Sequence, residues 1–202
     1  MYECKWFPYA GLIADFSLTM QILDIIETSR GASKRREKRI DRVILDYYDK
    51  DRIKSIKRCW NEFNLESYIK RILKQALEAH LRGEYALCVS SLATMWEGLI
   101  YIKANNSTMQ DRHRQKMGMT KKALEDLTVA NDYGQIFSDY FNNFIVSQCN
   151  TIDDVVDGVP NRHSVSHSWY RKYPSKKASL NAILLTDFIL GLEPLENNQE
   201  SA

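Results

Sequence analysis

Only 4 prolines and 8 glycines punctuate a chain of 202 residues. That leaves too few turn-formers for a β-sandwich and favours long helices. Cysteine is equally thin: Cys4, Cys59, Cys88 and Cys149 are too widely spaced for any Cys-x-x-Cys metal or redox signature, and they read as free, buried thiols in a reducing cytosol. An excess of one charge is also missing. The formal net charge of +2 does not support a whole-surface nucleic-acid binder, so local basic clusters must carry any such role. Asp15, Asp24 and Asp187 interrupt the apolar segments, and Met1–Trp6 lacks the apolar run of a signal peptide. Together these absences predict a soluble, cytoplasmic protein with no membrane partner.

A hydrophobic content of 44% beside 27% charged residues suits one good core with a helical addition. Leu12, Phe16, Met20, Leu23 and Ile26 recur at helical spacing and predict an amphipathic helix ending near Gly31. The basic run Lys34–Arg39 comes next, as a solvated helix start or an RNA-phosphate contact. A second pattern runs through Ile40, Val43, Ile44, Tyr47, Ile53, Ile56 and Trp60, bent around Asp49-Lys50-Asp51. Residues 1–62 therefore read as an N-terminal helical extension.

From residue 63 the pattern sharpens. Leu65, Ile69, Ile72, Ala76, Leu77 and His80 share a face that Gly83 terminates, with His80 expected in the core. Residues 85–103 are apolar around most of the circumference, as in the middle helix of a bundle. Glu97 lies among them and needs a partner such as Arg162, in an ion pair or in a site. Residues 107–120, with His113, read as a polar, basic loop or short helix, and Leu124 and Leu127 mark another helix. Trp96, Tyr133 and Tyr140 are expected in the core, the last two on an aromatic helix with Phe137, Phe141, Phe144 and Ile145. Asp153–Pro160 reads as a connector. Pro174 opens a final apolar helix, and residues 194–202 form a polar tail. The fold class is all-α: a bundle over 63–193 behind the extension.

The most informative segment is Arg162-His163-Ser164-Val165-Ser166-His167. Asn161 is a helix-cap residue just after Pro160, so 162–168 reads as a short helix with His163 and His167 on one face and Arg162 at its edge. Arginine offers a fixed charge whose fork matches phosphate oxygens, and histidine both takes and gives protons near neutral pH. That combination serves metal-free phosphodiester cleavage. Arg171, Lys172, Lys176 and Lys177 follow at once as candidate RNA-phosphate contacts.

Pro-Asn-Arg-His-Ser-Val-Ser-His-Ser resembles the Arg-x4–6-His signature of the HEPN superfamily at its shortest spacing, with a polar residue after the arginine. The resemblance covers roughly residues 63–193 and implies a HEPN-like helical bundle. It also implies a metal-independent endoribonuclease that leaves 2′,3′-cyclic phosphate ends and needs no cofactor. Such proteins are often homodimers whose motifs meet in one cleft, and are commonly toxins or antiviral effectors working with an antitoxin or larger complex. On this resemblance Arg162 stabilises the phosphorane, His167 is the general acid or base, and His163 fills the supporting polar position. Asn161, Ser166 and Glu97 are further supporting candidates. Ser168 departs from the glycine of many relatives, a difference in the turn rather than the chemistry.

Three alternatives compete. Arg162 and His167 also suit a bundle-end cap and ion-pair network, or a non-catalytic module that binds RNA or a partner. His163-x-x-x-His167 has the spacing of a two-histidine zinc site, but Ser164 stands where the helical zinc-protease motif needs glutamate.

Overall fold

In the computed structural model, which describes residues 2–9, 16–29, 33–106, 117–170 and 174–195, every regular element is helical. After a 3-10 turn at Tyr2–Cys4 come α1 (Phe16–Thr28), α2 (Ser33–Tyr47), α3 (Lys50–Glu62), α4 (Ser67–Leu81) and α5 (Tyr85–Ala93). Then follow α6 (Trp96–Asn105), α7 (Met117–Ala130), α8 (Ile136–Tyr140) and a π-helical turn at Phe141–Ile145. A 3-10 turn at Ile152–Asp154, α9 (Arg162–Ser166) and α10 (Lys176–Gly191) complete the described elements. His113 and the basic residues around it lie outside the described residues, as do Leu12 and most of the polar tail.

Local chemistry sets several boundaries where the sequence predicts them. The Asp49 side chain accepts from the Asp51 and Arg52 amides at 3.0 and 2.9 Å, which caps α3 and bends the chain away from α2. Gly83, at φ +81°, ends α4: its amide reaches His80 O and the Glu84 amide reaches Ala79 O. The expected single helix over 85–103 is instead two. Thr94 Oγ1 donates to Ser91 O at 2.9 Å and the Met95 amide closes a tight bond to Leu92 O, so the α-helical ladder breaks at 94–95.

The middle of the bundle belongs to α10, where almost every side chain from Lys177 to Leu190 is buried and which packs on α2, α3, α4, α5 and α6. Its polar residues each tie down a different element. Asn181 accepts from the Phe7 amide at 2.9 Å and donates to Lys5 O and Gly158 O. Thr186 Oγ1 receives the Trp96 indole at 2.9 Å, and Asp187 receives that of Trp60 at 2.7 Å. Ser179 shares a 2.8 Å hydrogen bond with His80 Nδ1. Buried polar groups need such partners, and each bond also fixes the register of its neighbour.

The described residues of 1–62 are not an appendage. The segment 2–9 buries Trp6 and Phe7 completely, and Phe7 and Tyr9 lie edge-on to Phe188 of α10 at 5.4 and 5.2 Å. Ile40, Ile44, Ile53 and Trp60 join the same core as Leu73, Leu92 and Leu185. The face expected to anchor α1 is inverted. Leu18, Ile22 and Ile25 are buried, whereas Phe16, Met20, Leu23 and Ile26 are exposed. A helix apolar on two opposite faces gives periodicity no means of choosing between them.

One apolar run escaped the count of acidic interruptions: Tyr85–Asn105 is long and apolar enough to cross a membrane by length and composition. It is broken at 94–95, and Cys88, Val89, Leu92, Trp96, Leu99 and Ile100 within it are buried in the bundle core. The cysteines also divide. Cys4, Cys88 and Cys149 are free and buried, while Cys59 is free and exposed, against the expectation that all four are buried. Burial pushes the Cys88 thiol up to about 12.

Candidate active site

Asn161 builds the site from behind. It is 4% exposed, and its Oδ1 accepts from the Ser164 amide at 2.9 Å, capping α9, and from the Cys149 thiol at 3.3 Å. Its Nδ2 donates to Phe144 O at 2.8 Å and Ser147 O at 3.0 Å, carbonyls at the end of the π-helical turn. One side chain therefore joins α9 to that turn, and its amide is fully used. Asn161 positions the site without facing it.

The C-terminal end of α9 is held by a Schellman turn. The Trp169 amide reaches Ser164 O at 2.8 Å and the Ser168 amide reaches Val165 O at 3.2 Å. Ser168 sits at φ +55°, the left-handed region that glycine occupies freely and a side chain occupies at a cost. This is the physical content of the departure at position 168.

Between these two ends the expected cluster forms. The His163 and His167 rings lie 4.5 Å apart between centroids. Trp169, which the sequence pattern did not single out, lies against both at 5.8 and 5.2 Å. The chain reversal at Ser168 folds Trp169 back, and no helical periodicity signals that. His163 is half-buried, and its Nδ1 accepts a long 3.4 Å bond from the Cys149 amide. In the neutral ring that leaves the proton on Nε2, so Nε2 is a donor; a zinc-binding Nε2 would need the opposite tautomer. His167 is exposed. Among the described residues no group of three or more His, Cys, Asp or Glu side chains could hold a metal ion.

Arg162 is ion-paired with Glu97 of α6, the partner the sequence suggested, with the guanidinium side chain 37% exposed and the carboxylate side chain 13% exposed. The carboxylate fixes the direction of the fork while part of it stays open to solvent. Ser166 is exposed and its Oγ donates to Arg162 O at 2.9 Å, a bond within the helix. The short helix therefore carries two imidazoles in contact with each other and with an indole, and a cation held by Glu97.

The basic tract does not act as one patch. Arg171 and Lys172 lie outside the described residues. Lys177 is corrected outright: it is 8% exposed, and its amine donates to Cys4 O at 2.7 Å and Asp41 at 2.8 Å, with Glu37 at 3.5 Å. Gly158, at φ +83°, permits this, because a Cβ there would stand 2.9 Å from Lys177 Cδ. Lys176 Nζ donates to Leu45 O at 3.3 Å and lines a 160 Å³ cavity with His80, Tyr85 and Asp49. Lys177 serves the packing of α10 instead of offering a phosphate contact, and Lys176 is half-buried.

No protein-family model, curated protein or solved structure matches this chain.

Proposed function

We propose that this chain is a metal-independent endoribonuclease of HEPN type, acting on RNA in the cytoplasm in antiviral defence or as a toxin. The observation that supports it is the Arg162 guanidinium, oriented by Glu97, on the same five-residue helix as His163, whose ring faces that of His167 at the helix end. Attack of a ribose 2′-hydroxyl on the adjacent phosphorus needs a base for the hydroxyl proton, an acid for the departing 5′-oxygen, and positive charge on the equatorial oxygens. His167, the more exposed ring, is the proton-transfer group. His163 Nε2 donates a hydrogen bond beside it, and Arg162 faces the phosphate. Purified protein is expected to cleave RNA in excess chelator and leave 2′,3′-cyclic phosphate ends. Chelator-sensitive cleavage or 5′-phosphate products would point to a metal-activated water and end this assignment.

The cluster lies on an open face, and in-line displacement is served by acid and base on opposite sides of the phosphorus. A homodimer bringing two such faces together supplies the second His167. Sedimentation is expected to give a dimer, and an active monomer would refute this arrangement. One observation favours a second reading. Glu97 already engages Arg162, as it would in a non-catalytic module whose motif only holds α9 in place for RNA or partner binding. Absence of cleavage by a folded, dimeric protein would select that reading.

A further inference from the structure

A cavity of about 670 Å³ lies between α1 and α2, remote in sequence from the Arg–His cluster. Met20, Ile25 and Val43 give it an apolar floor, Gln21 and Asp24 line its α1 side, and Arg35, Lys38, Arg39 and Arg42 give it a basic wall whose four cations outnumber the one carboxylate. Arg39 is committed to the hairpin itself, with bonds to Ser29 Oγ at 3.0 Å and Thr28 Oγ1 at 3.2 Å and Asp24 at 4.0 Å. Arg35, Lys38 and Arg42 are exposed, with no hydrogen bond or ion pair to any described residue. Their spacing puts them on one face of α2 over about two turns, roughly 10 Å.

Beside this cationic rail runs a second unmatched feature. Phe16, Met20 and Leu23 are 78%, 47% and 45% exposed on the face of α1 opposite its buried stripe. They also span two turns, and Met20 belongs both to this stripe and to the cavity floor. A two-turn apolar ladder next to a two-turn row of exposed cations is complementary to a helix with apolar side chains at i, i+4 and i+7 and carboxylates along one flank. RNA phosphates would satisfy the cations but leave the apolar ladder uncovered.

We propose that the exposed face of α1 at the rim of the α1–α2 groove docks an acidic amphipathic helix of a partner protein, its apolar side chains on Phe16, Met20 and Leu23 and its carboxylates turned across the groove to Arg35, Lys38 and Arg42. The site is independent of the nuclease assignment, because its readout is binding and not cleavage.

The test pans a display library of about twelve-residue amphipathic helices, with leucine fixed at i, i+4 and i+7 and the other positions randomised, against the full chain. Acidic residues are expected to be enriched on one flank. A selected peptide, fluorescently labelled, should lose at least about tenfold in affinity for the Arg35→Glu/Lys38→Glu/Arg42→Glu variant and for Met20→Asp. Exchanging the peptide's acids for lysine should restore binding to the charge-reversed variant, which excludes misfolding as the cause of the loss. Enrichment of neutral or basic sequences, failure to select any helix, or affinity unchanged by charge reversal would each overturn the proposal. So would sedimentation with phosphatidylserine vesicles that Met20→Asp abolishes, or a dimer that the same variant dissolves, since these assign the face to lipid or to a second copy.

Discussion

The chain has two described clusters built on histidine, and they differ in what surrounds the ring. His80 is 5% exposed, bonded to Ser179 and lying 5.5 Å from the Tyr85 ring; burial, with Lys176 nearby, pushes its pKa down to about 4. It stays neutral and acts as a packing element. His163 and His167 sit at the surface against each other and against Trp169, with water on the outer side. Both sites hold imidazoles in fixed geometry. Only the surface pair keeps a ring open to solvent, so exposure decides which histidine is free to exchange protons with its surroundings.

The sharpest way to break this contrast is to remove one ring from the surface pair. His167→Ala should lower RNA cleavage by about 10²–10⁴-fold, the usual worth of a positioned acid or base, while unfolding free energy stays within about 0.5 kcal/mol. A large stability loss with cleavage retained would reverse the roles assigned to the two clusters.

The second effect belongs to His80 and has a defined sign. Its folded pKa of about 4 lies below the ordinary 6.5, so between those values the unfolded chain binds a proton that the native chain refuses. Stability therefore falls as pH drops through that window, by about 3 kcal/mol at its lower end. His80→Asn, whose amide still meets Ser179, should remove this part of the slope. Denaturant titrations at several pH values would show it, and an identical slope in both proteins would contradict it.

The smallest expected effect concerns the turn that folds Trp169 onto the two rings. Ser168 holds a left-handed conformation that Gly83 holds at the end of α4. Ser168→Gly should raise stability by about 1 kcal/mol in thermal or chemical melts and leave cleavage unchanged. A loss of stability in the Ser168→Gly variant would mean that the serine hydroxyl holds the turn.

The sequence carried these two turns unequally. Gly83 announces a helix end by its own chemistry, whereas Ser168 points to a turn only through the resemblance, as the residue standing where many relatives have glycine. Pro160-Asn161 announces the start of α9, because, like Gly83, it acts through local backbone chemistry. The pairing of Glu97 with Arg162 was also legible, since a carboxylate on an apolar helix demands a partner. Lys177 was not. It sits in a basic run that looks solvated, yet its partners Cys4 and Asp41 are 173 and 136 residues away. The buried face of α1 was hidden for a related reason, since both faces are apolar and tertiary contact alone decides between them.

The bond between Phe7 and Asn181 spans 174 residues and has a consequence for how the molecule comes into being. During synthesis the segment 2–9 emerges long before α10, carrying Trp6 and Phe7 among its four aromatic residues. The seat of Trp6 and Phe7 is completed by Phe188 and Lys177 of α10, the last of the described helices to be made. A nascent fragment lacking α10 offers Phe7 the rings of Phe137 and Tyr140, and Trp6 the carboxylate of Asp41, and closure of so long a loop slows folding. The same late helix supplies Asn181 and so holds the Gly158 connector that leads into α9. The connector therefore gains its anchor last, whereas the bonds that shape α9 itself, from Asn161 to Phe144 and Ser147, join residues made before α10.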